Sequence, residues 1–164
     1  MTTSTSTPIT LHVNGKVVDV NVSPEMPLLY ALRNTLSLKG PRFGCGLGQC
    51  GACSVLIDGV VQRSCVLPVA AAAGRPITTL EGMGTPEKPD PLQQAFIDEQ
   101  AVQCGYCING MLIAARSLLN TNPKPTEAQV KEALASNLCR CGTHMRILRA
   151  VRRAANTLAA KGKP

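Results

Sequence analysis

Eight cysteines stand in two sets of four at fixed spacings, and those spacings constrain this chain more than any other feature. The first set runs Cys45-x4-Cys50-x2-Cys53 and closes on Cys65 after eleven intervening residues; the second is Cys104-x2-Cys107, then Cys139-x-Cys141 after thirty-one. Disulfide frameworks belong to exported chains. Met1 to Pro8 is Ser/Thr-rich and uncharged, without the basic start and apolar stretch of a secretory leader, so no export address of its own is expected. The thiols are then expected to bind metal, unless the folded chain crosses a membrane with a partner.

A length of 164 residues allows one ordinary domain or two small ones. With no Trp and only Tyr30, Phe43, Phe96 and Tyr106 as aromatics, large rings cannot be the main core filler. A mean hydropathy of +0.08 describes a soluble globular chain. No apolar run approaches the roughly 18 residues of a membrane span, which excludes a direct span. The net charge of +7 lies wholly at the C-terminal end, where seven basic residues from Arg140 onward meet no acid. Such an end suits an acidic membrane or an acidic partner protein better than nucleic acid, because no nucleic-acid motif is present and aromatics for base stacking are scarce.

Ile9 to Asn14 and Lys16 to Val22 alternate apolar and polar residues around Asn14-Gly15, which predicts a β-hairpin. Pro27 with Leu28, Leu29, Leu32 and Leu36 predicts one amphipathic helix packed on it. Ser54 to Ile57 and Val60 to Arg63 flank Asp58-Gly59 as a second hairpin, and Ile77 to Leu80 supplies a fifth short strand. The expectation is a disordered stretch over 1–8, a small α+β domain with a mixed sheet over 9–80, and a Pro/Gly-rich linker over 81–91. Helices are predicted over 92–101, 108–119, 126–138 and 144–160, with Thr126 and Gln129 as a capping box. They imply a compact four-helix bundle over 92–160, followed by a basic tail over 161–164.

The first spacing is that of a plant-type [2Fe-2S] cluster, whose fourth ligand arrives from a separate segment. Gly44, Gly46, Gly48 and Gly51 surround it. Glycine lets backbone N–H groups close around sulfur, and an oxidised cluster with four thiolates carries a charge of about −2 that such amides stabilise. A four-cysteine zinc site would favour two short C-x2-C pairs without that glycine crowding. The second spacing, taken alone, leaves both a cluster and zinc open. Thioredoxin-like chemistry lacks its βαβ context, and Ile108 stands where attached haem needs His. Both pairs of the second set precede predicted helix starts, where free N–H groups favour an anion.

Phe43 to Cys53 (FGCGLGQCGAC), Gln103-Cys104-Gly-Tyr-Cys107 and Cys139-Arg140-Cys141-Gly142-Thr143 together resemble the iron–sulfur subunit of the xanthine oxidase family of molybdenum hydroxylases. The resemblance spans about residues 9 to 155. It implies a β-grasp ferredoxin-like domain followed by the four-helix bundle, each holding a [2Fe-2S] cluster. Cys45, Cys50, Cys53 and Cys65 would hold the distal one, and Cys104, Cys107, Cys139 and Cys141 the one proximal to a molybdopterin, in its cytosine dinucleotide form, on a separate large subunit. Gln103 and Cys141 would touch that pterin. Small subunits of cytochrome c-linked aldehyde dehydrogenases and of nicotinate dehydrogenase look most similar within the family. The resemblance therefore implies that the acceptor is a cytochrome c subunit or a flavin subunit, with aldehyde oxidation as the first substrate reading and N-heteroaromatic hydroxylation as the second. Location would be cytoplasmic, or periplasmic or membrane-associated through a partner.

Arg140, between two ligands, either offsets cluster charge or faces solvent. His12 is expected on a strand surface, and His144 at a helix start as a cap or contact rather than a ligand. Arg146, Arg149 and Arg153 fall on one helical face, either solvated or facing an acidic subunit.

Overall fold

The computed structural model describes residues 8–161, so the expected disordered N-terminus lies almost wholly, and the basic tail largely, outside the described residues. The opening hairpin pairs β1 (Ile9–Val13) with β2 (Lys16–Val20), and the second pairs β3 (Ser54–Ile57) with β4 (Val60–Arg63). Asn14-Gly15 and Asp58-Gly59 are left-handed at both residues, the turn geometry that matches strand twist. Strand β5 (Pro76–Thr78) lies between the hairpins, parallel to β1 and antiparallel to β3, giving the order β2-β1-β5-β3-β4. The mixed sheet is therefore as expected, although β5 begins one residue earlier and stops short of Leu80.

The predicted first helix is shorter and less regular. Helix α1 (Leu28–Tyr30) widens at once into a π-helical turn over Ala31–Thr35. Its inward side chains serve two neighbours. Leu28, Ala31 and Leu32 join Leu11, Val55, Ile57 and Ile77 in the sheet core, whereas Leu29 packs with Cys53 and Cys65. Helix α2 (Val69–Ala72), not predicted, buries Val69 and Ala72 in the same core.

The 81–91 segment is irregular except at its ends, where a 3-10 turn at Leu80–Gly82 enters it and Pro91 opens the next helix. Glu81 anchors it: its carboxylate accepts the Lys39 and Gly40 amides at 2.7 and 2.6 Å and the Thr79 hydroxyl at 2.6 Å. Helices α3 (Pro91–Asp98), α4 (Ile108–Thr121), α5 (Glu127–Leu134) and α6 (His144–Lys161) then share a second core containing Leu92, Phe96, Met111, Val130, Ile147 and Val151. Helix α3 stops before Ala101 because Gln100 turns left-handed, and α5 stops at Leu134, well before Cys139. Capping boxes at Asp90 and Thr126 start α3 and α5. Helix α4 packs on β3 and β4 as well as on its helical neighbours, so its first turns are buried on both sides. Among the described residues no helix is long and apolar enough to cross a membrane.

Candidate metal centre

The loop between α1 and β3 folds back on its own sulfurs. Backbone N–H groups of Leu47, Gln49 and Cys50 donate to Cys45 Sγ at 3.3, 3.3 and 3.4 Å, and the Cys45 amide donates to Cys50 Sγ at 3.3 Å. Led by the Leu47 amide, these bonds outweigh burial and draw the Cys45 thiol down to about 6, so it is largely thiolate at neutral pH. The cradle leaves no room for a side chain at Gly44, where a Cβ would stand 2.6 Å from Cys50 Sγ. Cys53, at the start of β3, and Cys65, after β4, are buried under Leu29. Burial pushes the Cys53 thiol up to about 11, and the Ser64 hydroxyl donates to the Cys53 carbonyl at 2.6 Å, holding the two segments together. Bound metal would reverse that protonation preference, because a coordinating thiol is deprotonated outright.

The second set is held by helix starts. Cys107 immediately precedes α4, and Cys139 and Cys141 precede α6. Burial drives the Cys107 thiol up to about 12. Burial pushes Cys139 the same way, but hydrogen bonding to Thr143 outweighs it and brings this thiol to about 7. Exposed Cys104 is lowered, first by the Tyr106 amide and then by Cys141.

Thiols gather by set: Cys45 lies beside Cys50 and Cys53 beside Cys65, while Cys104, Cys107, Cys139 and Cys141 lie close enough to influence one another. Among the described residues no three ligating side chains converge as one ion would require. A tetrahedral zinc site gathers four sulfurs about 2.3 Å from a single ion. Two quartets of thiols, each gathered from one set, suit two binuclear groups with two thiolates for each iron. One cleft of about 460 Å³ touches Cys45 and Cys50 of the first set and Cys104, Cys107 and Cys139 of the second, with Gly44, Tyr106, Leu138, Arg140 and His144 completing its wall. The amide cradle, the glycine contact and the all-thiol donor sets fit [2Fe-2S] groups.

Gln103 is exposed beside Cys104 and, among the described residues, makes no side-chain hydrogen bond, so it is not spent on backbone groups. Arg140 and His144 are exposed on the cleft wall. His12 lies on β1, partly exposed between the buried Leu11 and Val13. The arginines of α6 are engaged within the chain: Arg149 with Glu99, Arg153 with Asp98 and Glu99, and Arg146 with the Gln100 carbonyl. Sequence reasoning missed Arg42, Arg63, Asn109 and Asn137, which no spacing or motif marks, and gave no role to Tyr106, although it stands inside the Gln103 to Cys107 motif; all five reach across between the two cysteine-bearing regions.

In comparisons with known proteins, residues 11–76 match a family described as "2Fe-2S iron-sulfur cluster binding domain", and residues 79–152 match "[2Fe-2S] binding domain". The chain is 62% identical to one of the subunits of nicotinate dehydrogenase of Pseudomonas putida, over 92% of this chain and 96% of that one. It is 49% identical to the alpha subunit of isoquinoline 1-oxidoreductase of Brevundimonas diminuta, over 90% and 97%. Among solved structures, quinoline 2-oxidoreductase from Pseudomonas putida 86 superposes with a TM-score of 0.89 at 40% identity, covering 96% of this chain and 98% of that one. Aldehyde oxidoreductase from Desulfovibrio gigas does so with 0.90 at 40% identity, covering 96% of this chain and 18% of that one.

Proposed function

The chain belongs to the iron–sulfur small subunits of the xanthine oxidase family of molybdenum hydroxylases, and on that premise we propose how its residues serve electron transfer within such an enzyme. It is an electron-transfer subunit of a molybdenum-dependent oxidoreductase, working with a large molybdenum-binding subunit. When bound, two [2Fe-2S] clusters supply one-electron steps. The thiols of Cys45, Cys50, Cys53 and Cys65 hold one, and those of Cys104, Cys107, Cys139 and Cys141 the other. The observation that carries this assignment is that the thiols gather by set, with Cys45 and Cys50 of the first and Cys104, Cys107 and Cys139 of the second lining one cleft.

The chain's own groups do three things there. Cysteine thiolates bind metal, and the Leu47, Gln49 and Cys50 amides compensate negative charge where Cys45 sits. Leu29 keeps water from Cys53 and Cys65. Thr143 orients Cys139 through its hydroxyl, 3.4 Å from the sulfur. Exposed Gln103 offers both amide donors and an acceptor, and with Cys141 it is assigned to the pterin of the large subunit. We read the architecture as a β-grasp domain over 9–80, a linker over 81–91 and a four-helix bundle over 92–160, with a molybdopterin cytosine dinucleotide on the partner. A cytochrome c subunit is the proposed acceptor, a flavin subunit the second choice. The compartment is cytoplasmic, or periplasmic or membrane-associated through export with or anchoring by a partner.

The substrate of the complex is read as an N-heteroaromatic acid or base, since 62% and 49% identity to subunits of nicotinate and isoquinoline enzymes exceeds the 37% shared with an aldehyde oxidoreductase subunit of Escherichia coli. Purified complex assayed with an artificial acceptor should turn over nicotinate or isoquinoline faster than simple aldehydes. The reverse preference would restore the aldehyde reading. The purified subunit should hold about four irons and four sulfides with little zinc. Cys65→Ser should remove one of two paramagnetic signals seen after reduction, while Gln103→Ala should keep both; two signals in the first variant would reject Cys65 as a ligand.

A further inference from the structure

Among the contacts that cross between the sheet half and the helical half, two sets join loops that carry cysteines. One straps 42–45 to 104–107: Arg42 donates to the Gly105 carbonyl at 2.7 Å, the Tyr106 hydroxyl donates to the Phe43 carbonyl, and the Arg42 guanidinium lies 5.5 Å from the Tyr106 ring centre. The other grips 50–54. The Leu138 amide donates to the Cys50 carbonyl at 3.0 Å, and Asn109 Nδ2 donates to the Ala52 and Ser54 carbonyls, both at 2.9 Å. Arg63 reaches from the Ser54 hydroxyl across to the Ser136 hydroxyl at 2.6 Å.

The centre of this second seam has no room for side chains. A Cβ at Gly110 would stand 2.3 Å from the Gly51 carbonyl oxygen and 2.8 Å from Asn137 Oδ1, and one at Gly51 would stand 2.1 Å from Asn137 Oδ1. Asn137 is only 4% exposed, and neither polar atom of its amide has a hydrogen-bond partner among the described residues. An amide buried on those terms needs a reason, because most buried polar groups are paired. Its position supplies one. Gly110 lies three residues beyond Cys107 and Asn137 two before Cys139, so the seat for the first cysteine loop is built from the segments that carry the second set.

We propose that Gly110 and Asn137 are positioning residues that set the separation of the two thiolate sets: Gly110 lets the Cys50 to Cys53 loop seat on the start of α4, and Asn137 roofs that seat. This rests on reading both sets as [2Fe-2S] ligands. Electron transfer falls steeply with distance, so a seat stripped of side chains brings the two centres as close as the backbones allow. Helix propensity alone would make Gly110→Ala a strengthening of α4. At this position the added methyl is a wedge against the Gly51 carbonyl.

The test uses the intact complex, fully reduced, with iron and sulfide counted and the magnetic interaction between the two paramagnetic centres read by low-temperature EPR. Dipolar coupling falls with the cube of separation. Gly110→Ala should weaken the splitting while both signals persist, or cost the first centre alone, halving the acid-labile sulfide. An unchanged splitting with full iron, or selective loss of the second centre, overturns the proposal. If Gly110→Ala does not accumulate folded, Asn137→Ala gives the same reading: weakened splitting supports the roof, unchanged splitting rejects it. Unsubstituted complex lacking iron in this subunit would defeat the cluster reading itself, a failure distinct from that of the spacing.

Discussion

A single methyl group is the sharpest probe of the first cysteine loop. At Gly44 it would stand 2.6 Å from Cys50 Sγ and 3.3 Å from the Ala52 side chain. Gly44→Ala should therefore displace the Cys50 sulfur, at a cost of about 1–3 kcal/mol for overpacking. One of two EPR signals should be lost while the other stays; retention of both would show that the loop yields cheaply. Cysteines and their glycines were legible in the sequence because their chemistry demands particular residue types at particular spacings. Asn109 and Asn137 were not. Each is a lone amide whose importance comes from lying opposite a loop more than fifty residues away, and nothing local distinguishes it from a surface asparagine.

At the scale of elements, hairpin turns, strand alternation and capping boxes were readable because each is set by neighbouring residues. What escaped was tertiary. Helix α1 and the π-helical turn after it together serve the sheet core and Cys53, and α4 is buried on two faces, so its pattern did not reveal that it also packs on the sheet. Asp90 shows what an element boundary can carry: its carboxylate caps α3 through the Leu92 amide at 2.8 Å and pairs with Arg116, both side chains being mostly buried. Asp90→Ala should cost about 3 kcal/mol, the sum of a lost cap and a stranded guanidinium, measurable by denaturant unfolding. Asp90→Asn keeps the cap and should recover part of it. The α6 arginines behave differently. Arg153, about half exposed, pairs with Asp98 and Glu99 at 3.0 and 3.4 Å, so Arg153→Ala should cost under about 1 kcal/mol, an effect fading in high salt. A larger, salt-independent loss would mean that its alkyl stem, not its charge, holds α3 to α6.

Across the whole molecule, the two halves must stay in register for one cleft to serve both cysteine sets, and Glu81 ties the connecting segment to the backbone just ahead of the first loop. Burial alone would push its carboxyl up. The Thr79 hydroxyl and the Gly40 and Lys39 amides outweigh burial and hold it below the usual carboxylate range. A carboxyl depressed in the folded state contributes stability above its unfolded pKa and loses it as pH falls through the folded value. The junction should therefore be firm at neutral pH and weaken below about pH 4. Glu81→Gln cannot accept all three bonds, since its NH2 group opposes at least one donor. It should lower stability at pH 7 by about 1 kcal/mol, a figure that allows for solvent reaching a half-buried group. The two proteins' stability curves should converge as acid protonates Glu81 in the unsubstituted chain. Unfolding followed from pH 7 to pH 3 reads both effects, and parallel curves would show that the anchor works through shape rather than charge.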